Sequence, residues 1–144
     1  MNASIKSLFA SRAGLGITLV RVLVGIIFMA HGSQKLFGLF GGYGLVGTGQ
    51  WMESIGLPFG TLMAFLSGSA EFFGGLALVV GLLVRPAAVV LIFTLVVAIF
   101  SVHIHNGLFM ANNGYEFALA LLGGTLAVLL EGAGKLSLDR VIAR

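Results

Sequence analysis

The chain has 144 residues and a net charge of +3, with 58% hydrophobic and only 9% charged residues. A soluble domain carries about 25% charged residues, so this is the composition of a single small membrane domain. The sequence contains no cysteine, which excludes thiol relays, disulfide exchange, thiolate metal sites and cysteine-linked haem. Its basic residues flank apolar runs instead of clustering with aromatics. They therefore read as a membrane-orientation signal and not as a nucleic-acid surface.

Residues 1–13 set Ile5, Leu8, Phe9 and Arg12 at helical spacing and predict an interfacial helix. Lys6 and Arg12 ahead of an apolar run resemble a secretion signal. The run, however, carries Arg21, outlasts such a signal and lacks a small-residue cleavage site, so a retained span is expected. That first span covers about 14–37, since roughly 20 residues cross a bilayer. A Gly-rich loop over 38–58 follows. Within it Thr48 is a candidate N-cap for a short surface helix over 49–55, Trp51 would sit at the interface, and Gly56 and Pro58 are stop signals.

The second span, 59–84, carries Glu71 among small residues; Ala70 and Gly74 predict close packing on a neighbour. Arg85-Pro86 predicts a tight turn into a third span, 86–103. A polar connection leads to a fourth span, 115–130. In the tail, Ser137 is a candidate N-cap for a short amphipathic helix presenting Leu138, Val141 and Ile142. The expected fold is all-α: an antiparallel four-helix transmembrane bundle with interfacial helices. Lys6, Arg12, Arg85, Lys135, Arg140 and Arg144 fall on one side and only Lys35 on the other. This asymmetry predicts cytoplasmic termini and outward-facing loops.

Ionisable groups at membrane depth are costly and mark candidate sites. At about 1.5 Å rise per residue, His31 and His103 lie roughly 25 Å from the cytoplasmic edge, Glu116 about 22 Å and Glu71 about 20 Å. One group per span thus converges in the outer half of the membrane. His31, Glu71, His103 and Glu116 are the candidate catalytic residues; Gln34, Lys35, His105 and Arg21 are candidate ligand contacts. Each has a plainer reading. Arg21 can snorkel to headgroups, Gln34 and Lys35 can mark the interface, His103 and His105 can be solvated, and Glu71 can form a structural pair with Arg21 or His31. The helical Glu-x-x-His metal motif is absent and His103-x-His105 is weak alone, so no metal site is assigned. An apolar slot with a few proton-passing groups suits a quinone better. The order Arg, apolar run, His, then Glu-Phe heading a span occurs in both halves, which suggests a two-hairpin repeat.

HGSQKLFGLFGGYG, WMESIGLP, AEFFGGLALVVGLLVRPAA, VHIHNGLF and NNGYEFALALL together resemble the DoxX family of small bacterial membrane proteins, from Arg21 to Arg140. The resemblance implies a four-span bundle in the bacterial cytoplasmic membrane. It also implies an oxidoreductase association, through relation to a small subunit of thiosulfate:quinone oxidoreductase, and complexes with redox enzymes. Its motif positions are His31, Gln34, Lys35, Glu71 and Glu116. The expected function is a membrane subunit of a quinone-linked redox system, receiving electrons from a partner protein. The alternatives are a scaffold or assembly factor, and a small proton-coupled transporter working as a homo-oligomer.

Overall fold

The computed structural model describes residues 3–9 and 14–144. The expectation for Arg12 lies outside the described residues. Among them there are seven α-helices and no strand: α1 (Ala3–Phe9), α2 (Leu15–Phe37), α3 (Gly44–Ser54), α4 (Gly60–Val80), α5 (Val84–Ala98), α6 (Glu116–Glu131) and α7 (Leu138–Ile142). Helix α5 continues through a π-helical turn, Ile99–His103, and a 3-10 turn, Ile104–Asn106.

Three helical segments are long and apolar enough to cross a membrane: Leu15–Phe37, Gly60–Val80 and Val84–Asn106. The fourth expected span is α6, whose 16 residues extend about 24 Å at the usual helical rise. Helix α2 packs on α4, α4 on α5, α5 on α6, and α6 back on α2. The interior holds Phe28, Leu78, Val84, Leu91 and Val128, together with the polar residues Arg21, Glu71 and Thr125. The outer surface carries Leu19, Phe65, Phe73, Phe93, Phe100 and Leu130. A continuous apolar exterior around buried charge suits lipid, not water.

The tightest contact is between α2 and α4. Gly25 and Gly32 on α2 lie two turns apart, as do Gly68 and Gly75 on α4, so each pair forms one stripe. A Cβ on Gly25 would lie 2.8 Å from the Gly75 carbonyl oxygen, and one on Gly32 would lie 2.8 Å from the Gly68 carbonyl oxygen. Backbone meets backbone at both levels, the close approach that small residues permit in lipid.

The turn between the second and third spans falls at Gly81–Leu83, ahead of the expected Arg85-Pro86. Gly81 adopts φ +78° as the C-cap of α4, and Leu83 is also left-handed at +52°. Pro86 instead sits in the first turn of α5, where the amide it lacks has no intrahelical partner to lose. The chain's tail fixes this turn. Both Asp139 carboxylate oxygens accept backbone N–H groups, from Leu83 at 2.7 Å and Val84 at 2.9 Å, while Asp139 N–H donates to the Gly81 carbonyl at 2.8 Å. Arg21, only 1% exposed, donates to the carbonyls of Leu78, Val79 (3.1 Å) and Leu136 (2.6 Å). Arg85 does the same for the end of α6, donating to the Leu129 carbonyl at 3.1 Å and the Leu130 carbonyl at 3.3 Å. Both arginines meet the negative end of a helix dipole. Ser137 caps α7 as expected, its hydroxyl accepting from Arg140 N–H at 3.3 Å. Helix α3 begins at Gly44, ahead of Thr48, which is buried inside it.

Two outcomes follow from these contacts. Gly32→Leu should lower the melting temperature sharply or prevent recovery of folded protein, since overpacking costs about 1–3 kcal/mol or more. Gly123→Leu, with nothing within 4 Å of its new Cβ, should be neutral. Asp139→Ala should cost about 1–2 kcal/mol, the range of a lost helix cap, measurable by thermal unfolding in detergent; an unchanged melting curve would show that the tail does not hold the turn.

Candidate functional site: a carboxylate-floored groove between two spans

Lys35 lies in the last turn of α2 and Glu71 near the middle of α4. The two helices run antiparallel, and helical side chains lean toward their own N-terminus. The two side chains therefore lean toward each other, and Lys35 Nζ donates to Glu71 Oε1 in an ion pair. Glu71 is 6% exposed. Its other oxygen, Oε2, is buried and has no hydrogen-bond partner.

The pair lies on the wall of a cavity of about 520 Å³ between α4 and α5, beneath α3. Its apolar walls include Leu66, Val90, Phe93 and Val97, which are also exposed on the outer surface. The cavity is therefore a groove that opens sideways between two spans, toward lipid. Its size falls within the ~300–1,000 Å³ typical of small-molecule sites.

Local structure brings His103 to this groove. The π-helical turn over Ile99–His103 departs from α-helical phase and sets Ser101, Val102 and His103 along the wall; such turns often accompany functional sites. His103 Nδ1 lies 2.9 Å from the Asn113 carbonyl oxygen. A carbonyl only accepts, so Nδ1 carries the proton, and in the neutral ring Nε2 keeps its lone pair. Asn106 Nδ2 donates to the same carbonyl at 3.1 Å and to the Val102 carbonyl at 3.2 Å, tying the loop to the turn.

Helix α3 roofs the groove through another glycine contact. A Cβ on Gly49 would sit 2.7 Å from Thr61 N, and Glu53 Oε1 accepts the Gly60 N–H at 3.1 Å. This lays Trp51 and Met52 over the groove. A smaller hollow of about 290 Å³ lies on the loop side, lined by Gln34, Gly41, Gly42, Tyr43 and Thr48. Lys35 and Trp51 line both spaces and so form the partition between them.

The structure thus brings together Lys35, Glu71 and His103 of the expected residues. His31 is exposed on α2, its ring 6.0 Å from that of Phe117, and lines neither cavity. It remains within electrostatic reach of Glu71 and Lys35. Glu116 closes the loop ahead of α6, accepting the Met110 N–H at 2.8 Å. Gln34 donates to the Phe40 carbonyl at 3.1 Å, and His105 is exposed outside the groove. Arg21 lies at the other end of α4, on the carbonyls of its last turn. Among the described residues no three His, Asp or Glu side chains are placed to share a metal ion. Sequence reasoning missed Ser67, Thr94 and Ser101 as groove residues. Thr94 and Ser101, the two hydroxyls in the apolar run of the third span, were the available signal.

The profile of the DoxX family matches residues 16–104, more than half of the chain. The chain belongs to the DoxX family. A Bacillus subtilis protein named "Putative oxidoreductase CatD" is 37% identical to it over 125 residues, covering 87% of this chain and 85% of the relative. The "Inner membrane protein YqjF" of Escherichia coli is 34% identical over 134 residues, covering 89% and 92% of the two chains. The "Uncharacterized membrane protein Rv3486" of Mycobacterium tuberculosis is 33% identical over 135 residues, covering 87% and 80%. No solved structure matches the chain significantly. This DoxX protein is accordingly a helical membrane protein, with relatives named "Inner membrane protein" and "Putative oxidoreductase".

Removing one partner of the Lys35–Glu71 pair strands the other charge at membrane depth. Lys35→Met and Glu71→Gln should each destabilise this DoxX protein by about 1–3 kcal/mol, and the double variant by less than their sum. Thermal unfolding of the four proteins in one detergent checks this; strict additivity would mean that the pair carries no coupling.

Proposed function

We propose that this DoxX protein is the membrane subunit of a quinone-linked redox system. The groove between α4 and α5 takes a quinone or similar membrane-soluble substrate, and Glu71 and His103 handle its protons. The observation that carries this reading is a lipid-facing apolar groove with a buried, half-satisfied carboxylate on its wall and a histidine at its loop end. A ligand dissolved in the bilayer reaches such a groove without crossing water. Lys35 pairs with Glu71, and the hollow beyond Lys35 and Trp51 gives protons a path toward the loop side. A chain without cysteine offers no thiol–disulfide couple, and in this reading electrons come from a partner protein.

In this reading α6 completes a fourth crossing in the bacterial inner membrane, with both termini in the cytoplasm. The matched roles of Arg21 and Arg85, each capping the last turn of its hairpin partner, support a two-hairpin repeat. The small-residue face of α4, which a scaffold would present to a partner, is packed against α2; this favours the ligand-site reading over the scaffold.

Native mass spectrometry of gently extracted protein tests the site. A quinone-sized mass bound to the wild type and lost in Glu71→Gln is the expected result. A bare chain, or one carrying only another protein, would overturn the reading. Orientation has its own test, since an introduced cysteine is unique in this sequence. Ser54→Cys should react with a membrane-impermeant maleimide in intact cells, and Leu136→Cys only after lysis. The reverse pattern would invert the topology.

A further inference from the structure

We infer that the groove selects a flat six-membered ring carrying oxygens on opposite edges, and that Ser67 and Ala98 are the residues that make room for it. This rests on the proposed quinone-type site and adds the shape that the site selects. The register of the two walls is fixed where α4 and α5 touch, since a Cβ on Gly74 would lie 3.0 Å from the Leu91 side chain. The two helices run antiparallel, so equal steps toward the loop end keep facing residues level. One turn up, Glu71 stands level with Thr94. Two turns up, Ser67 stands level with Ala98, and three turns up, Met63 stands level with Ser101 and Val102. At the contact itself small meets large, Gly74 against Leu91. At the second turn small meets small, and the missing side-chain volume forms the waist of the groove.

Polar groups flank this waist at two levels. On the inner side, the Thr94 hydroxyl gives its proton to the Val90 carbonyl at 3.0 Å and can still accept, while Lys35 has N–H groups beyond the one that it gives to Glu71. On the loop side are the Ser101 hydroxyl, the His103 ring and Asn113. Each level can donate as well as accept, so the site reads spacing and not redox state. Ser101 lies two turns beyond Thr94, roughly 10 Å along the axis. A six-membered ring with oxygens on opposite edges, hydrogen-bonded at about 2.8 Å at each end, joins partners roughly 11 Å apart. With oxygens on adjacent carbons, both bonds fall at one end and the other level stays unmet. Between the levels the ring needs a gap lined by small side chains, which Ser67 and Ala98 leave. Leu66, Phe93 and Val97 are exposed along the open side, where an alkyl tail passes into lipid.

The test compares two isomers, decylhydroquinone and decylcatechol, which share ring and tail and differ only in where the second oxygen sits. The full-length protein in lipid nanodiscs is titrated anaerobically with each. The readout is quenching of Trp51, the single tryptophan of the chain, on the groove wall. It is referenced to a single-tryptophan transmembrane peptide in the same discs, which removes the contribution of partitioning. The hydroquinone should saturate at a concentration roughly tenfold lower than the catechol, the factor expected of one hydrogen bond. Ala98→Leu should weaken hydroquinone binding by roughly tenfold or more, because the ring and the new side chain compete for one space. Its melting temperature should hold or rise, as expected of a filled void. Ser67→Val fills the same level from α4 and takes its place if the first variant does not fold. Gly123→Leu, on α6 and outside the groove, should bind as the wild type does. Equal affinities for the two isomers, or waist variants that bind like the wild type, would overturn the inference while leaving a quinone site in place. Absence of saturation by both isomers in the wild type would overturn both.

Discussion

A charge held at membrane depth must be met by an opposite charge or by backbone oxygen, and the rest of this structure depends on how that demand is answered. Arg21 and Arg85 answer it with carbonyls at helix ends, where the dipole is already negative. Asp139 answers it from the other sign, with the free N–H groups that open α5. These contacts join segments far apart in the chain and fix the end of the molecule that holds the tail, with Arg21 Nε left buried and without a partner. At the loop end the answer is only partial. Lys35 satisfies one oxygen of Glu71 and leaves the other without a partner. The two ends differ in access: Arg21 is sealed among carbonyls, whereas Glu71 lies on the wall of an open groove, and this contrast supports placing chemistry in the groove.

The glycine contacts explain how the groove arises. Because Gly25 and Gly32 let α2 sink onto α4, the pair is packed backbone to backbone. On the opposite side α4 meets α5 through bulkier groups, with a Cβ on Gly74 only 3.0 Å from the Leu91 side chain. A groove remains between α4 and α5 toward the loop end, and the π turn that continues α5 lines part of it with His103. Position and chemistry of the site thus descend from small residues that take no part in it.

The apolar runs, their order and the mid-span charges were legible in the sequence, because each follows from length and hydropathy along one helix. The pairing of Lys35 with Glu71 was not, since helix rotation is set by which glycines meet, and that is a property of two segments. Arg21 was readable as an anomaly but not as a cap, because its acceptors lie on α4 and ahead of α7. Glu116 matched the family motif, yet in the structure it accepts a loop amide, a use no spacing rule distinguishes from lining a site. The turn at Gly81 was masked by the more conspicuous Arg85-Pro86. A proline tolerated in a first turn carries the same letter as one that breaks a helix.

The clamp on Arg21 has a consequence for biosynthesis. Its third carbonyl, that of Leu136, and the neighbouring Asp139 belong to a segment made after all the long helices. Chains are synthesised from the N-terminus, so α2 and α4 enter the bilayer with the clamp between them unfinished. The α4–α5 turn acquires its cap only when Asp139 emerges and docks. Synthesis of the stretch from Leu136 to Asp139 is then also the event that locks the helices in register, and a chain cut short of Leu136 would leave an arginine under-coordinated in the membrane.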